Sequence, residues 1–286
     1  MTIGVIGGSG IYDALPLENV ETKSVETPFG EPSDDITLGE LAGKEVAFLP
    51  RHGPDHQHNP TNARYKANIY ALKSVGVDRV IATNAVGSLR EDLPPRTLVV
   101  PTQIFDRTSH RDHTFFGDGM VVHMGFADPY DPAMVEHLAD AAERAETDAE
   151  THEGGTYVCI EGPQYSTRAE SEFYREQGWE IVGMTAIPEA KLAREAEMSY
   201  ATVAGVTDYD VWKADNEVTL DEVLENAAAN QESINAVVEE AVRSMPEDFE
   251  SDAWSALEGT INTPSEAIPA ETRERVDLLA GQYLDD

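Results

Sequence analysis

Seven short apolar runs punctuate this chain: Ile3–Ile6, Val46–Leu49, Val80–Thr83, Leu98–Val100, Tyr157–Ile160, Ile181–Met184 and Tyr200–Val206. Runs of this length suit strands buried on both faces, the condition of a parallel sheet covered by helices. Helix signals fall between them. Tyr65, Ile69, Leu72 and Val75 share one face of a helix over 62–75. Asp131 followed by Pro132 is an N-cap and first-turn pair, and it opens a helix that buries Val135, Leu138, Ala142 and Ala145. Thr219-Leu-Asp-Glu222 reads as a capping box. The long stripe beyond it contains Val223, Leu224, Ala227, Ile234, Val237, Val238, Ala241 and Val242. The alternation predicts an α/β fold, a single domain with a mixed, largely parallel central sheet flanked by helices. The strand–helix rhythm covers 1–245. From Met245 the text turns to Pro, Glu and Asp with scattered Trp254, Leu257 and Ile261. Residues 246–286 therefore read as an acidic C-terminal appendage, partly helical, with a mobile end.

The residues just after each run are chemically informative, because ligands of such sheets bind at the carboxyl edge. In Val5–Gly10 the glycines let backbone amides approach an anion, and Ser9 adds a donor. A plain tight turn is the alternative, and the spacing is not that of a dinucleotide loop, which disfavours a dehydrogenase. Leu49–Gly53 offers the planar donor fork of Arg51, with His52 as a further donor. His52, His56 and His58 sit on a loop with Pro and Gly and without a supporting Cys or helical His pair, so they do not make a metal site. In Ala82–Leu89, amides near Ala85 suit an anion that Asn84 could orient. In Glu161–Glu170, Tyr165 can stack on a planar base and Ser166 can bond its edge. Glu161 is open to reading as a general base or as a partner of Arg168. In Val182–Ala186, Met184 is a pliable apolar side chain suited to a sugar face and Thr185 a phosphate donor.

The most telling run is Gly205–Trp212, where Asp208 and Asp210 stand just past a strand end. Carboxylates at i and i+2 there can accept from an exocyclic amine. With a pKa raised by burial, one can also hand a proton to a leaving nitrogen. A solvated acidic turn is the plain alternative, because the chain is very acidic: 20 Lys+Arg against 54 Asp+Glu, a net charge of −34. Acids spread along the whole length repel nucleic acid and anionic membranes, and they suit a protein adapted to high salt. The single cysteine, Cys159, excludes an intrachain disulfide and reads as a small buried hydrophobe. No signal peptide or membrane-spanning run is read, so a cytoplasmic location is expected.

Taken in order, GGSG (7–10), TPFGEPSD (27–34), LPRHGPDH (49–56), ATNAVGSL (82–89), EGPQYSTRAES (161–171), GMTAIPEA (183–190) and VTDYDVWK (206–213) form a set. It resembles the 5′-methylthioadenosine phosphorylase branch of the trimeric purine nucleoside phosphorylase family, over roughly residues 3–245. The resemblance implies a homotrimer and phosphorolysis of methylthioadenosine to adenine and methylthioribose 1-phosphate, with inorganic phosphate as co-substrate and no cofactor. It implies that Ser9, Arg51, His52, Asn84, Ala85 and Thr185 hold phosphate and that Met184 lies against the ribose. Ser166, Asp208 and Asp210 would face the base, Tyr209 would be among the substrate-binding residues, and Leu220 would line the methylthio pocket. His123 would be lent to a neighbouring subunit. Asp208 would be the acid that protonates the departing purine. A carboxyl here favours adenine over 6-oxopurines, while adenosine and 6-oxopurine nucleosides stay open as alternative substrates. Hydrolysis without phosphate, or nucleoside binding without turnover, are the rival readings.

Overall fold

In the computed structural model, which describes residues 2–8, 15–213 and 219–284, every one of the seven apolar runs is a strand. The strands are β1 (Thr2–Gly7), β2 (Glu18–Lys23), β3 (Ile36–Leu41), β4 (Lys44–Pro50), β5 (Val77–Ser88), β6 (Leu98–Val100), β7 (Gln103–Arg107), β8 (Thr151–Glu153), β9 (Thr156–Ile160), β10 (Ile181–Gly183) and β11 (Ser199–Asp208). The helices are α1 (Tyr65–Ser74), α2 (Pro132–Arg144), α3 (Arg168–Glu176), α4 (Ala186–Glu195), α5 (Leu220–Ser244) and α6 (Ala270–Ala280).

All the strands join one sheet, ordered β2-β3-β4-β1-β5-β10-β9-β7, with β11 on β5, β6 on β11 and β8 on β6. The central pairings β4–β1–β5–β11 are parallel, whereas β3–β4, β5–β10 and β6–β11 are antiparallel, so the sheet is mixed and largely parallel as expected. The length of β5 explains the branching. β11 flanks it from Arg79 to Gly87, whereas β1 leaves the other side at Ala82 and β10 pairs there with Gly87 and Ser88. The sheet therefore opens around residues 83–87, and the cleft forms there.

Helices cover the faces. The Asp131 side chain accepts from the N–H of Ala133 and Met134 and caps α2, which buries Met134, Val135 and Leu138. Thr219 caps α5 by accepting from the Glu222 N–H. Only the second half of α5 is core: Ile234, Val237, Val238, Ala241 and Val242 are buried, while Leu220 and Leu224 are 63% and 58% exposed. The apolar stripe read from sequence thus serves two purposes, packing at one end and an open apolar wall at the other. Cys159 is buried and unpaired, and burial pushes its thiol up to about 12.

The C-terminal stretch differs from the appendage expected over 246–286. Phe249, Leu257, Ile268, Val276, Leu279 and Leu284 belong to the same core as β1 and β5. Trp254 donates to the Asp78 carbonyl at 2.9 Å, and the Arg79 guanidinium sits over the Phe249 and Trp254 rings. A few well-placed aromatic and aliphatic side chains anchor this segment despite its acidic composition, because each buried one contributes ~1.5–3 kcal/mol.

Candidate active site

The carboxyl ends of β1, β4, β10 and β11 and the middle of β5 converge on a cavity of about 410 Å³. Arg51, His52, Asn84, Ala85, Met184 and Thr185 line it, as do Ser166, Asp208, Asp210 and Leu220. Gly8 lines it too; its neighbour Ser9 lies outside the described residues. Tyr209 and His123 do not line the cavity. Tyr209 packs against the Lys213 ammonium and the Trp212 ring, and His123 is exposed, its N–H bonded to the Thr260 carbonyl at 2.9 Å.

At one end of the cavity the groups suit an anion. Arg51 is buried and straddles Glu189: Nε and the η2 nitrogen donate to its two oxygens, each at 2.7 Å, and the η1 nitrogen donates to the Thr83 carbonyl at 3.0 Å. The planar fork read from sequence is thus engaged by a protein carboxylate, and only the remaining N–H groups of Arg51 are left for an anion. Glu189 also accepts from the Tyr200 hydroxyl at 2.8 Å. The carbonyl of Arg51 is pinned by the Ser33 hydroxyl at 2.7 Å, which gives the TPFGEPSD motif its role in shaping this loop. Asn84 donates to the Thr185 hydroxyl oxygen at 2.6 Å, and Thr202 bonds the Asn84 carbonyl from behind. That arrangement places an accepted bond on the Thr185 oxygen, so its hydroxyl keeps its own hydrogen to donate.

His52 departs from expectation. Its Nδ1 lies 2.7 Å from the His58 carbonyl, which can only accept. Burial and the Arg51 guanidinium hold the ring far below its usual value, at about 3. The ring is neutral with its one hydrogen on Nδ1, so Nε2 is an acceptor and not the donor anticipated.

At the other end lie the carboxyls. Asp208 ends β11 at an irregularity in its pairing with β5. It accepts from the Thr207 hydroxyl and the Asp210 N–H, each at 2.7 Å. Burial raises its pKa, and Asp210 and Glu222 add to the rise against those two bonds. Asp210 is likewise raised by burial, against the opposing effect of the Ser171 and Ser166 hydroxyls beside it, and it adopts φ +50°. The Ser166 hydroxyl is buried next to Asp210 and lines the cavity. Gly87 makes room for the pair: a Cβ there would stand 3.0 Å from Asp208 Oδ1. Asn226 and Asn230 of α5 donate to the Thr207 and Val206 carbonyls at 2.7 and 2.9 Å, fixing the strand end. These are not the groups of a solvated turn.

Glu161 is no general base. Burial would raise its pKa, but bonds from the N–H of Ser109 and His110, from Arg111 and from Thr61 outweigh that and hold it at about 2. Its ion-pair partner is Arg111 at 3.0 Å, not Arg168. Arg111 also donates to the carbonyls of Met184 at 2.7 Å and Glu161 at 2.6 Å, tying together the loops that carry Met184 and Tyr165. Sequence reading missed Glu189, Arg111 and Thr202. A lone acid in a helix of a very acidic chain, or one Arg in a polar loop, carries no periodic signal.

The family model of the phosphorylase superfamily matches residues 2–243. The chain is 48% identical to the S-methyl-5′-thioadenosine phosphorylase of Koribacter versatilis over 99% of this chain and 96% of the relative. It is 50% identical to that of Chloroflexus aurantiacus over 99% and 98%. Among solved structures, a methylthioadenosine phosphorylase from an antarctic soil metagenomic library superposes with a TM-score of 0.93 at 48% identity, covering 97% of this chain and 98% of that one. The methylthioadenosine phosphorylase of Schistosoma mansoni in complex with adenine gives 0.80 at 38% identity, over 85% and 91%.

Proposed function

Because the chain belongs to the phosphorylase superfamily, among its methylthioadenosine phosphorylases, we propose that it cleaves S-methyl-5′-thioadenosine with phosphate, giving adenine and 5-methylthioribose 1-phosphate. It is a pentosyltransferase. The observation that carries the base assignment is the buried Asp208–Asp210 pair lining the cavity, both carboxyls with pKa values raised by burial.

The roles follow from charge. The glycosidic bond breaks toward an oxocarbenium-like sugar. Phosphate, held by Arg51, His52, Asn84, Ala85 and Thr185, lies beneath it as counter-charge and then as nucleophile. Asp208, whose pKa burial raises, delivers its proton to purine nitrogen 7 as the base departs. The 6-amino group donates to a carboxyl oxygen of the pair, and Ser166 bonds the base edge. Met184 supports the ribose, and Leu220 with the exposed start of α5 receives the apolar 5′ substituent. Phosphate is a co-substrate and no cofactor enters the scheme. Glu161, held ionised by Arg111, takes no part in proton transfer.

The working unit is proposed to be a homotrimer. His123, exposed and away from its own cavity, is free to serve a neighbour's 5′ site, with Tyr209 supporting the base-side loop. The net charge of −34 supports a soluble cytoplasmic protein adapted to high salt. Among the described residues no helix is long and apolar enough to cross a membrane.

The test is adenine release from methylthioadenosine in molar KCl, with and without phosphate, with inosine in parallel. Phosphate-dependent release from methylthioadenosine alone is expected. Turnover of inosine at a comparable rate would overturn the role given to Asp208, and release without phosphate would identify a hydrolase.

A further inference from the structure

The phosphorolytic reading leaves open which protonation form of the oxyanion the site takes, and the hydrogen bonds around the cavity answer it. We propose that the anion end selects an oxyanion that retains one proton, hydrogen phosphate, with its P–O–H directed at Nε2 of His52; this rests on the phosphorolysis above.

The carbonyl oxygen of His58 accepts from Nδ1 of His52 at 2.7 Å, so the single hydrogen of the neutral ring is spent there. The turn that imposes this is closed from both sides. The His58 N–H returns to the His52 carbonyl at 3.1 Å, and Gly53, at φ +79°, donates to the Pro50 carbonyl at 3.1 Å. A side chain at Gly53 would meet Gln57 at 2.5 Å, so the turn is tightly packed. His56 stacks on the ring at 4.4 Å and fixes its plane. The ring is 8% exposed and lines the cavity; burial and the Arg51 guanidinium disfavour a second proton and outweigh the opposing effect of the bond to the His58 carbonyl. Nε2 therefore presents a lone pair to the ligand.

Among the described residues the other groups at this end donate. Arg51 has five N–H groups, and Glu189 and the Thr83 carbonyl occupy only three. Asn84 donates to the Thr185 oxygen, and that hydroxyl retains a hydrogen it can give to the anion. One acceptor among donors matches a tetrahedral anion with one hydroxyl and three bare oxygens. A fully deprotonated anion such as sulfate would set an oxygen lone pair against that of Nε2. During reaction one bare oxygen forms the bond to C1′ as the C1′–N9 bond breaks and its electron pair leaves with the purine. The proton facing His52 stays on the phosphate throughout.

The experiment measures adenine release from methylthioadenosine at neutral pH and fixed ionic strength. Phosphate and arsenate, which both keep a proton there, serve as co-substrates, and sulfate as competitor. Arsenate is expected to support turnover with a KM within a few-fold of that for phosphate. Sulfate is expected to inhibit with a constant at least ~10-fold above the phosphate KM, the worth of one charge-assisted hydrogen bond. In His52→Gln, whose amide can turn an N–H to the anion, the gap between phosphate and sulfate should narrow to a few-fold. Sulfate binding as well as phosphate to the unaltered enzyme would overturn the proposal, and this comparison needs no variant to fold. So would a phosphate–sulfate gap that persists in His52→Gln. Adenine release that needs neither phosphate nor arsenate would instead overturn the phosphorolytic reading.

Discussion

Replacing Asp208 by Asn separates the acid from the shape that holds it. The carboxyl accepts from the Thr207 hydroxyl and the Asp210 N–H, each at 2.7 Å. An amide of the same outline keeps its oxygen under the Asp210 N–H and turns its NH₂ toward the Thr207 oxygen. Thr207 can then give its own hydrogen to the Val86 carbonyl at 3.2 Å. The side chain at 208, the Thr207 hydroxyl and the Asp210 N–H all keep a partner, so unfolding free energy should change by less than about 1 kcal/mol. Catalysis has no such compensation, because an amide cannot release a proton at neutral pH. Loss of a positioned general acid costs ~10²–10⁴ in kcat, or about 3–5 kcal/mol of barrier. The pH profile adds a second readout. Burial raises the pKa of Asp208, and its protonated form is the acid, so activity of the unaltered enzyme should fall as pH rises through that raised value. The variant should lack that limb. Adenine release at saturating phosphate across the pH range, beside a urea titration, measures both effects. A loss under about tenfold with the alkaline limb retained would refute the assignment of the acid.

Three further outcomes are expected. Glu189→Gln removes the counter-charge of the buried Arg51 guanidinium and sets an amide NH₂ against one of its N–H groups; it should cost ~3–5 kcal/mol in urea unfolding and raise the KM for phosphate. Glu195 is buried, which pushes its carboxyl up to about 7 despite bonds from Thr114 and the Phe115 N–H. The folded state therefore binds that proton more tightly than the unfolded one. The resulting cost is full above about pH 7 and vanishes below the ordinary value of 4.5, a span worth roughly 3 kcal/mol. Glu195→Gln should thus be the more stable protein at alkaline pH and no more stable than the unaltered one in mild acid, by thermal melts at fixed salt. Finally, with a net charge of −34, the thermal midpoint should rise between dilute buffer and molar KCl, and a midpoint indifferent to salt would count against adaptation to salt.

The strands legible from sequence are those buried on both faces, where the pleat gives no alternation and the run is simply apolar. The four that escape lie where a face or an edge meets water. β2 is Glu-Asn-Val-Glu-Thr-Lys and exposed throughout, and β7 is Gln-Ile-Phe-Asp-Arg at the far edge of the sheet. Their charged side chains blunt an open edge, and the same charges erase the hydrophobic signal. α3 carries a complete capping box, Thr167 with Glu170, inside a fragment whose ligand chemistry is the more conspicuous signal. At the site, groups that touch the cavity are visible because they cluster after strand ends. Those that hold them (Glu189 behind Arg51, Thr202 behind Asn84, Arg111 behind Glu161 and Met184) come from distant segments that only the fold brings close. The tautomer of His52 depends on a carbonyl six residues on, which no residue pattern encodes.

The division of α5 into a packed half and an open half bears on how such an enzyme can change over generations. Asn226 and Asn230 clamp the end of β11, and from Ile234 onward the helix is core, so substitutions there disturb both stability and the acid. About three to four turns before Ile234, Leu220 and Leu224 line the cavity while mostly exposed, and exposed positions tolerate exchange within about 0.5 kcal/mol. Mutation can therefore explore the 5′ end of the nucleoside almost freely while the purine chemistry stays fixed. Lineages carrying this fold should diverge first in the sugar substituent they accept and last in the base they release.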